Sequence, residues 1–345
     1  MHFHVAGSAA ALALGSVLLT GPGQDAPFTE EALTAQAPKG DWEYIIPDEE
    51  WFAINGPIFV GPFEFRTSAK SDFKIEIADT AGRDPKVGVN QSGDIVKLKA
   101  ETEDGERWSY AIRVRGAANG GFEWSPAGIR RGSIEGKKVL VFDRNGNGVY
   151  NDIGLDAISI DGRPGAAMLG SVVLVGDELF ELEVDEKGDT LRYRPYGGET
   201  GLLDVTSEFG LKADLECCVF STTGGDMSFD LAGTKGPVAV PVGTYELTFG
   251  FVSKGSDSAK IGKGQMSNLE VDAESGALLE WGDELEGRPM VRRGAGEVTI
   301  SPTYRIYGNG GEEYYDFTPD PMPSRYELKD PEDDKRLKKG ALPSG

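Results

Sequence analysis

The chain has 345 residues, with 35 Lys plus Arg against 57 Asp plus Glu and a formal net charge of -22. That acidity argues against a nucleic-acid partner, because phosphate binding needs clustered cations. A hydrophobic fraction of 39% excludes wholesale disorder and suffices for two or three domains of ordinary size.

Val5 to Thr20 form an apolar run, which Gly21, Pro22 and Gly23 then break. The run has the length of a signal-peptide core and is short for a membrane span. Residues 1–24 are therefore expected to be a signal peptide, which would place the mature chain outside the cell, in a periplasm or on a cell surface. An uncleaved apolar anchor is the other reading, since Met1 to His4 carry no Lys or Arg. No later stretch is long and apolar enough to span a bilayer, so no transmembrane segment is expected in the mature chain. The chain has 2 His, His2 and His4, and both would leave with the leader. A mature chain without His has no Ser-His-Asp or Cys-His catalysis and no His-based zinc, copper or non-haem iron site.

Residues 25–40 read as a polar lead, expected to be mobile, in which Thr29 to Leu33 offer one helical turn with Thr29 as its N-cap. Alternation dominates from there. Phe63–Arg66, Phe73–Ile77, Val96–Ala100, Tyr110–Arg115, Leu182–Val184 and Tyr304–Tyr307 all alternate apolar with polar residues, the period of half-buried strands. The 48 glycines and 19 prolines fall mostly between such runs, where turns need them. The expected fold is all-β: two or three sandwich- or barrel-like units of antiparallel hairpins, with almost no helix beyond the leader. An N-terminal unit is drawn over 41–135 and a hairpin unit over 136–205, with a seam near 132–136. A C-terminal unit follows over 206–328, and a charged tail over 329–345 is expected to be disordered. Whether 41–205 is one domain or two stays open.

Trp42, Tyr44, Trp51 and Phe52 cluster beside Phe59, Phe63 and Phe65. Exposed rings stack on sugars, whereas rings in alternating strands pack in cores. Adjacent Trp51 and Phe52 cannot both face inward in one regular strand.

The segment from Asp143 to Asp156 is the chief candidate site. Asp143, Asn145 and Asn147 stand at alternate positions and Gly148 follows. This resembles the start of an EF-hand or dockerin-type calcium loop, D-x-[DN]-x-[DN]-G, in which alternate side chains converge on a hard cation and glycine supplies the sharp turn. The resemblance implies Ca2+ ligands at Asp143, Asn145, Asn147, the Val149 carbonyl and Asn151. Gly154 stands where the bidentate Glu belongs, so Asp152 and Asp156 are the candidate substitutes. With strands as flanks and three charged ligands, the site would staple a hairpin weakly, with a dissociation constant of roughly 10⁻⁴ to 10⁻³ M. The competing reading is an Asx- and Gly-rich turn without metal. Asp185 to Asp189 read more simply as a hairpin turn.

Cys217 and Cys218 are the 2 cysteines of the chain. They exclude Cys-x-x-Cys metal sites and any disulfide framework. On a strand they point to opposite faces, with one thiol expected to be more buried than the other. Two packed free thiols and a vicinal disulfide are the alternatives.

Pro241-Val242-Gly243-Thr244-Tyr245-Glu246-Leu247 resembles the P-x-G-x-Y-x-[LV] stretch of carboxypeptidase regulatory-like, transthyretin-like and related Ig-like bacterial modules. The resemblance implies a small β-sandwich, a turn at Pro-Val-Gly, and Tyr and Leu alternating on the next strand. Leader, acidic hairpin and module together resemble uncharacterised secreted bacterial β-rich proteins. Tyr307 to Tyr315 lack the Lys and helix of a phosphate loop and read as a glycine-rich hairpin. No catalytic constellation is recognisable. The expected function is a non-catalytic β-scaffold or binding protein with a weak structural calcium loop, facing polysaccharide or a cell-surface protein. A carbohydrate-binding module using the N-terminal aromatics is the alternative, and a carboxylate-dependent hydrolase comes third.

Overall fold

The structure, a computed structural model, describes residues 26–38, 41–67, 74–78, 86–89, 93–101, 105, 107–118, 120–294, 297–319, 325–330 and 332–341. The expected leader, 1–24, and the last residues of the tail, 342–345, lie outside the described residues. Strand makes up more than half of the described residues, and no helix occurs among them. The fold is all-β, in several antiparallel sheets. No helix among the described residues is long and apolar enough to cross a membrane.

Alternation does what its period dictates. In Phe63–Thr67, Phe63 and Phe65 are buried while Glu64 and Arg66 turn outward. In Gly243–Lys254, Tyr245 and Leu247 are buried, and the Tyr245 hydroxyl donates to the Pro241 carbonyl at 2.7 Å. Lys137–Asp143 is different. Val139 and Val141 enter one core with Leu169 and Phe180, while Leu140 and Phe142 enter another with Ile46 and Ile129. Both faces are covered, which is why the run is continuously apolar.

That strand is central in a five-stranded sheet, ordered Ala167–Met168, Ala157–Ile160, Lys137–Asp143, Gly128–Ile134 and Thr34–Ala35. A four-stranded sheet is ordered Thr29–Ala32, Thr190–Pro195, Glu178–Val184 and Val172–Val175. The lead expected to be mobile thus supplies strands to two sheets. Thr29–Ala32 is extended rather than helical: it pairs antiparallel with the edge of Thr190–Pro195, and the following Leu33 is buried. Tertiary pairing overrides the local helix preference of Glu-Glu-Ala.

The drawn boundaries also shift. Gly128–Ile134 and Lys137–Asp143 form one hairpin, turned by Glu135 and Gly136 at φ of 48° and 74°, so the 135/136 seam runs through a two-residue turn. Thr200–Asp204 pairs with Val238–Pro241 and, in parallel, with Ala277–Leu278, which joins it to the C-terminal unit. One core cluster runs from Leu33 to Phe249 across both boundaries. The tail expected to be disordered forms a hairpin of Arg325–Lys329 with Arg336–Ala341. Opposite charges meet there, Arg336 with Glu327 and Lys329 with Asp334. Asp185 to Asp189 and Gly308 to Glu312 are hairpin turns, as expected.

Cys217 and Cys218 lie on Asp214–Thr222, and both are fully buried. The expectation that one would be more exposed is corrected by the strand's position. Cys217 packs in the cluster with Val219 and Phe249, and Cys218 in the one with Phe220 and Trp281. The strand is a partition between two cores, so opposite faces are equally dry. Both thiols are free, and burial raises both well above the ordinary thiol range. Native protein should therefore resist a soluble thiol reagent, and two thiols per chain should appear on denaturation. Rapid labelling of the native chain would contradict this packing.

Candidate metal centre

Asp143 ends the doubly buried strand, and Ala157 opposite Phe142 begins the next. Asp143 and Asp156 therefore face each other at the mouth of the hairpin, at 1% and 0% exposure. The Asp143 carboxylate gathers the loop. Its Oδ1 accepts from Gly146 N at 2.7 Å and Asn147 N at 3.2 Å. Its Oδ2 accepts from Gly148 N at 2.7 Å and from the Tyr110 hydroxyl at 2.7 Å. Asp156 holds the other side, accepting from Arg144 N at 3.2 Å and Asp152 N at 3.0 Å.

A second knot lies nearer the surface. The side-chain amides of Asn145 and Asn147 both donate to Asp152 Oδ2 at 2.7 Å. The Asn145 and Asn147 carbonyl oxygens close Asx turns on Asn147 N and Val149 N. The seven expected ligands thus divide: Asn145, Asn147 and Asp152 meet at one point, and Asp143 and Asp156 meet beneath it. Val149 is held through its N–H. Asn151 is exposed and lines a shallow groove with Ile153 and Leu169, away from the convergence. The loop is tied down by Gly154 N on Leu169 O, Tyr150 N on Glu186 O and Gly61 N on Asn147 O.

Sequence reading missed Tyr110, Gly128 and Arg144. Gly128 pairs with Asp143, and a Cβ there would come 2.2 Å from the Tyr110 ring and 2.7 Å from the Tyr150 hydroxyl. Only glycine admits the two tyrosines over the carboxylate. The Arg144 guanidinium donates to Leu155 O at 2.6 Å and Asp48 O at 3.1 Å, caps carbonyls, and leaves the carboxylates to each other.

Burial therefore raises both acids. Asp143 is pushed up to about 6, moderated by its four donors. Asp156 is pushed up to about 8, with the neighbouring Asp143 charge as the second cause. Among the described residues, no Lys or Arg forms an ion pair with either. Also among the described residues, no three His, Cys, Asp or Glu side chains form a ready metal cluster. A cation here would have to use amide and backbone oxygens as well. The donor types are hard oxygens throughout, which fits calcium and not zinc or copper. Half-turns of the Asn145 and Asn147 amides would present oxygen in place of nitrogen to the point they share with Asp152.

The cavity beside Asp143, lined also by Trp42 and Ser125, has a volume of about 10 Å³, room for at most one water. The N-terminal aromatics are largely structural. Phe63 and Phe65 are core, Phe52 packs on Trp124 at 5.6 Å, and Trp42 packs edge-on against Tyr44 and Phe142. Arg115 covers the Trp51 ring at 4.0 Å, and Phe59 stays 68% exposed.

The folded pKa values of Asp143 and Asp156 lie above the unfolded carboxylate range, so the native state keeps protons that the unfolded chain has lost. Their contribution is fully present below about pH 4 and is lost as pH rises towards 8. Each pH unit that separates a folded from an unfolded pKa is worth about 1.4 kcal/mol. In EGTA the melting temperature should fall between about pH 5 and pH 8, and Asp156→Asn should flatten that fall. An unchanged slope in the variant would contradict the assignment. Gly128→Ala should destabilise the chain by about 1–3 kcal/mol in a denaturant titration.

Comparison with family models, with curated proteins and with solved structures finds no match to this chain.

Proposed function

We propose that this chain is a non-catalytic β-scaffold whose 143–156 hairpin takes one calcium ion as a structural staple. The observation that carries the reading is a pair of buried carboxylates, Asp143 and Asp156, with no ion pair to a Lys or Arg among the described residues, beneath three further side chains converging on one point. A buried, unpaired charge is costly, and proteins neutralise it with a proton, a partner or a metal. Calcium would replace the protons and draw oxygen from Asp143, Asn145, Asn147, Asp152 and Asp156. The Val149 carbonyl is the backbone candidate.

The ion's contribution would be local. It binds strands that already pair, so the metal-free chain folds and the ion raises its stability by mass action. Weak affinity suits a chain exported to calcium-rich surroundings, which is the location the apolar leader supports. The C-terminal strand Gly243–Lys254 supports a sandwich module of the regulatory-like type, a fold-support or adhesion unit facing polysaccharide or a cell-surface protein.

In millimolar calcium the melting temperature should exceed that in EGTA. At a hundredfold excess over the dissociation constant the gain is about 2.7 kcal/mol. Asp152→Ala, which removes the convergent carboxylate and spares the buried pair, should abolish the gain. Equal melting with and without calcium would reduce the loop to a hydrogen-bonded turn.

A further inference from the structure

A second feature lies away from the acidic loop. A cleft of about 510 Å³ opens where four sheets end. Ala167–Met168, Val172–Val175, Ser228–Asp230 and Val238–Pro241 each form the outermost strand of their own sheet, and all four contribute to its lining. The volume falls in the range of small-molecule sites, and the lining combines aliphatic walls with polar and charged side chains. Ile158, Ile160, Val173, Leu174 and Val238 make the walls.

Two of the charged groups in the lining, Arg163 and Asp230, form an ion pair. Arg163 follows a tight turn at Asp161 and Gly162, with φ of 59° and 72°, that returns the chain from Ala157–Ile160. Its Nη2 lies 3.2 Å from Asp230 Oδ2. The Asp230 side chain is 9% exposed, and its Oδ1 is fixed by Cys218 N at 2.8 Å and Ala232 N at 3.2 Å. The Arg163 side chain is 31% exposed, so part of its donor fork faces the cleft. Asp161 is engaged by Lys137 at 3.0 Å. Lys235 and Asp177, both exposed, add one charge of each sign to the lining. The lining therefore carries three carboxylates, Asp161, Asp177 and Asp230, against two cations, Arg163 and Lys235, with Asp161 engaged by Lys137 from outside it.

A guanidinium and a carboxylate side by side, beneath branched aliphatic walls, complement a ligand that carries a carboxylate and an ammonium on neighbouring atoms with an aliphatic side chain. We infer that this cleft binds a small aliphatic zwitterion, the chemistry shared by a free branched-chain amino acid and a dipeptide of such residues. The ligand carboxylate lies on Arg163, its ammonium on Asp230, and its side chain against Ile158, Val173 and Val238. Arg is suited to this role because its planar fork matches a carboxylate bidentately. The site is independent of the calcium loop.

Titration calorimetry of the full chain with leucine, leucyl-leucine, N-acetyl-leucine and leucinamide tests this. One or both zwitterions should bind at least about tenfold more tightly than N-acetyl-leucine, which lacks the ammonium, and leucinamide, which lacks the carboxylate. Leucine ahead of the dipeptide identifies a free amino acid, and the reverse order identifies a peptide. Arg163→Met should weaken binding at least about tenfold. Val238→Trp, which fills the cleft and leaves the ion pair in place, should abolish it with the melting transition retained. Absence of binding by both zwitterions, or equal affinity for the blocked analogues, would overturn the proposal.

Discussion

Asp143 stands where a strand buried on both faces runs out into a loop, and its carboxylate accepts four hydrogen bonds there. Three donors are backbone N–H groups of the loop itself, which would otherwise be left unpaired against the core. The fourth, the Tyr110 hydroxyl, belongs to a strand of a different sheet. One side chain thus closes the loop and couples two sheets. The cost is a carboxylate removed from water and set opposite Asp156, which is equally buried. Gly128, Tyr150 and the positive-φ glycines Gly146 and Gly148 are all consequences of fitting backbone and two aromatic rings around that group.

The same economy of strands appears at Asp214–Thr222. Its two cysteines face two different cores, so the strand joins the central and C-terminal parts of the chain by packing on both sides. Sheet boundaries and core boundaries therefore do not coincide. Where sheets end without merging, as around Arg163 and Asp230, a cleft is left whose lining mixes charged and aliphatic side chains.

Much of this was legible in the chain. Alternation marked Phe63–Thr67, Arg107–Gly116 and Glu178–Val184, because a strand with one dry face needs a period of two. The D-x-N-x-N-G spacing marked the loop, because Asx turns and glycines at positive φ leave a local signature. Thr29–Ala32 was not legible. Its residues favour a helix locally, and only the distant edge of Thr190–Pro195 makes it a strand. The seam at 135/136 failed because Glu135-Gly136 makes a turn that from sequence alone resembles a linker. Within the site, loop spacing marked Asp143, Asn145, Asn147 and Asp152 but also Asn151, whose side chain turns to the surface. Tyr110 and Gly128 carry no local signal at all, since their role exists only once two sheets meet.

The central claim is that the buried pair must be neutralised and that calcium and protons compete for it. Calorimetric titration with calcium in buffers of different ionisation enthalpy counts the protons released per ion bound. At about pH 6 the account predicts binding with net proton release, falling away above about pH 8 and reduced in Asp156→Asn. Calcium binding with no proton release at either pH, or no binding at all, would contradict it.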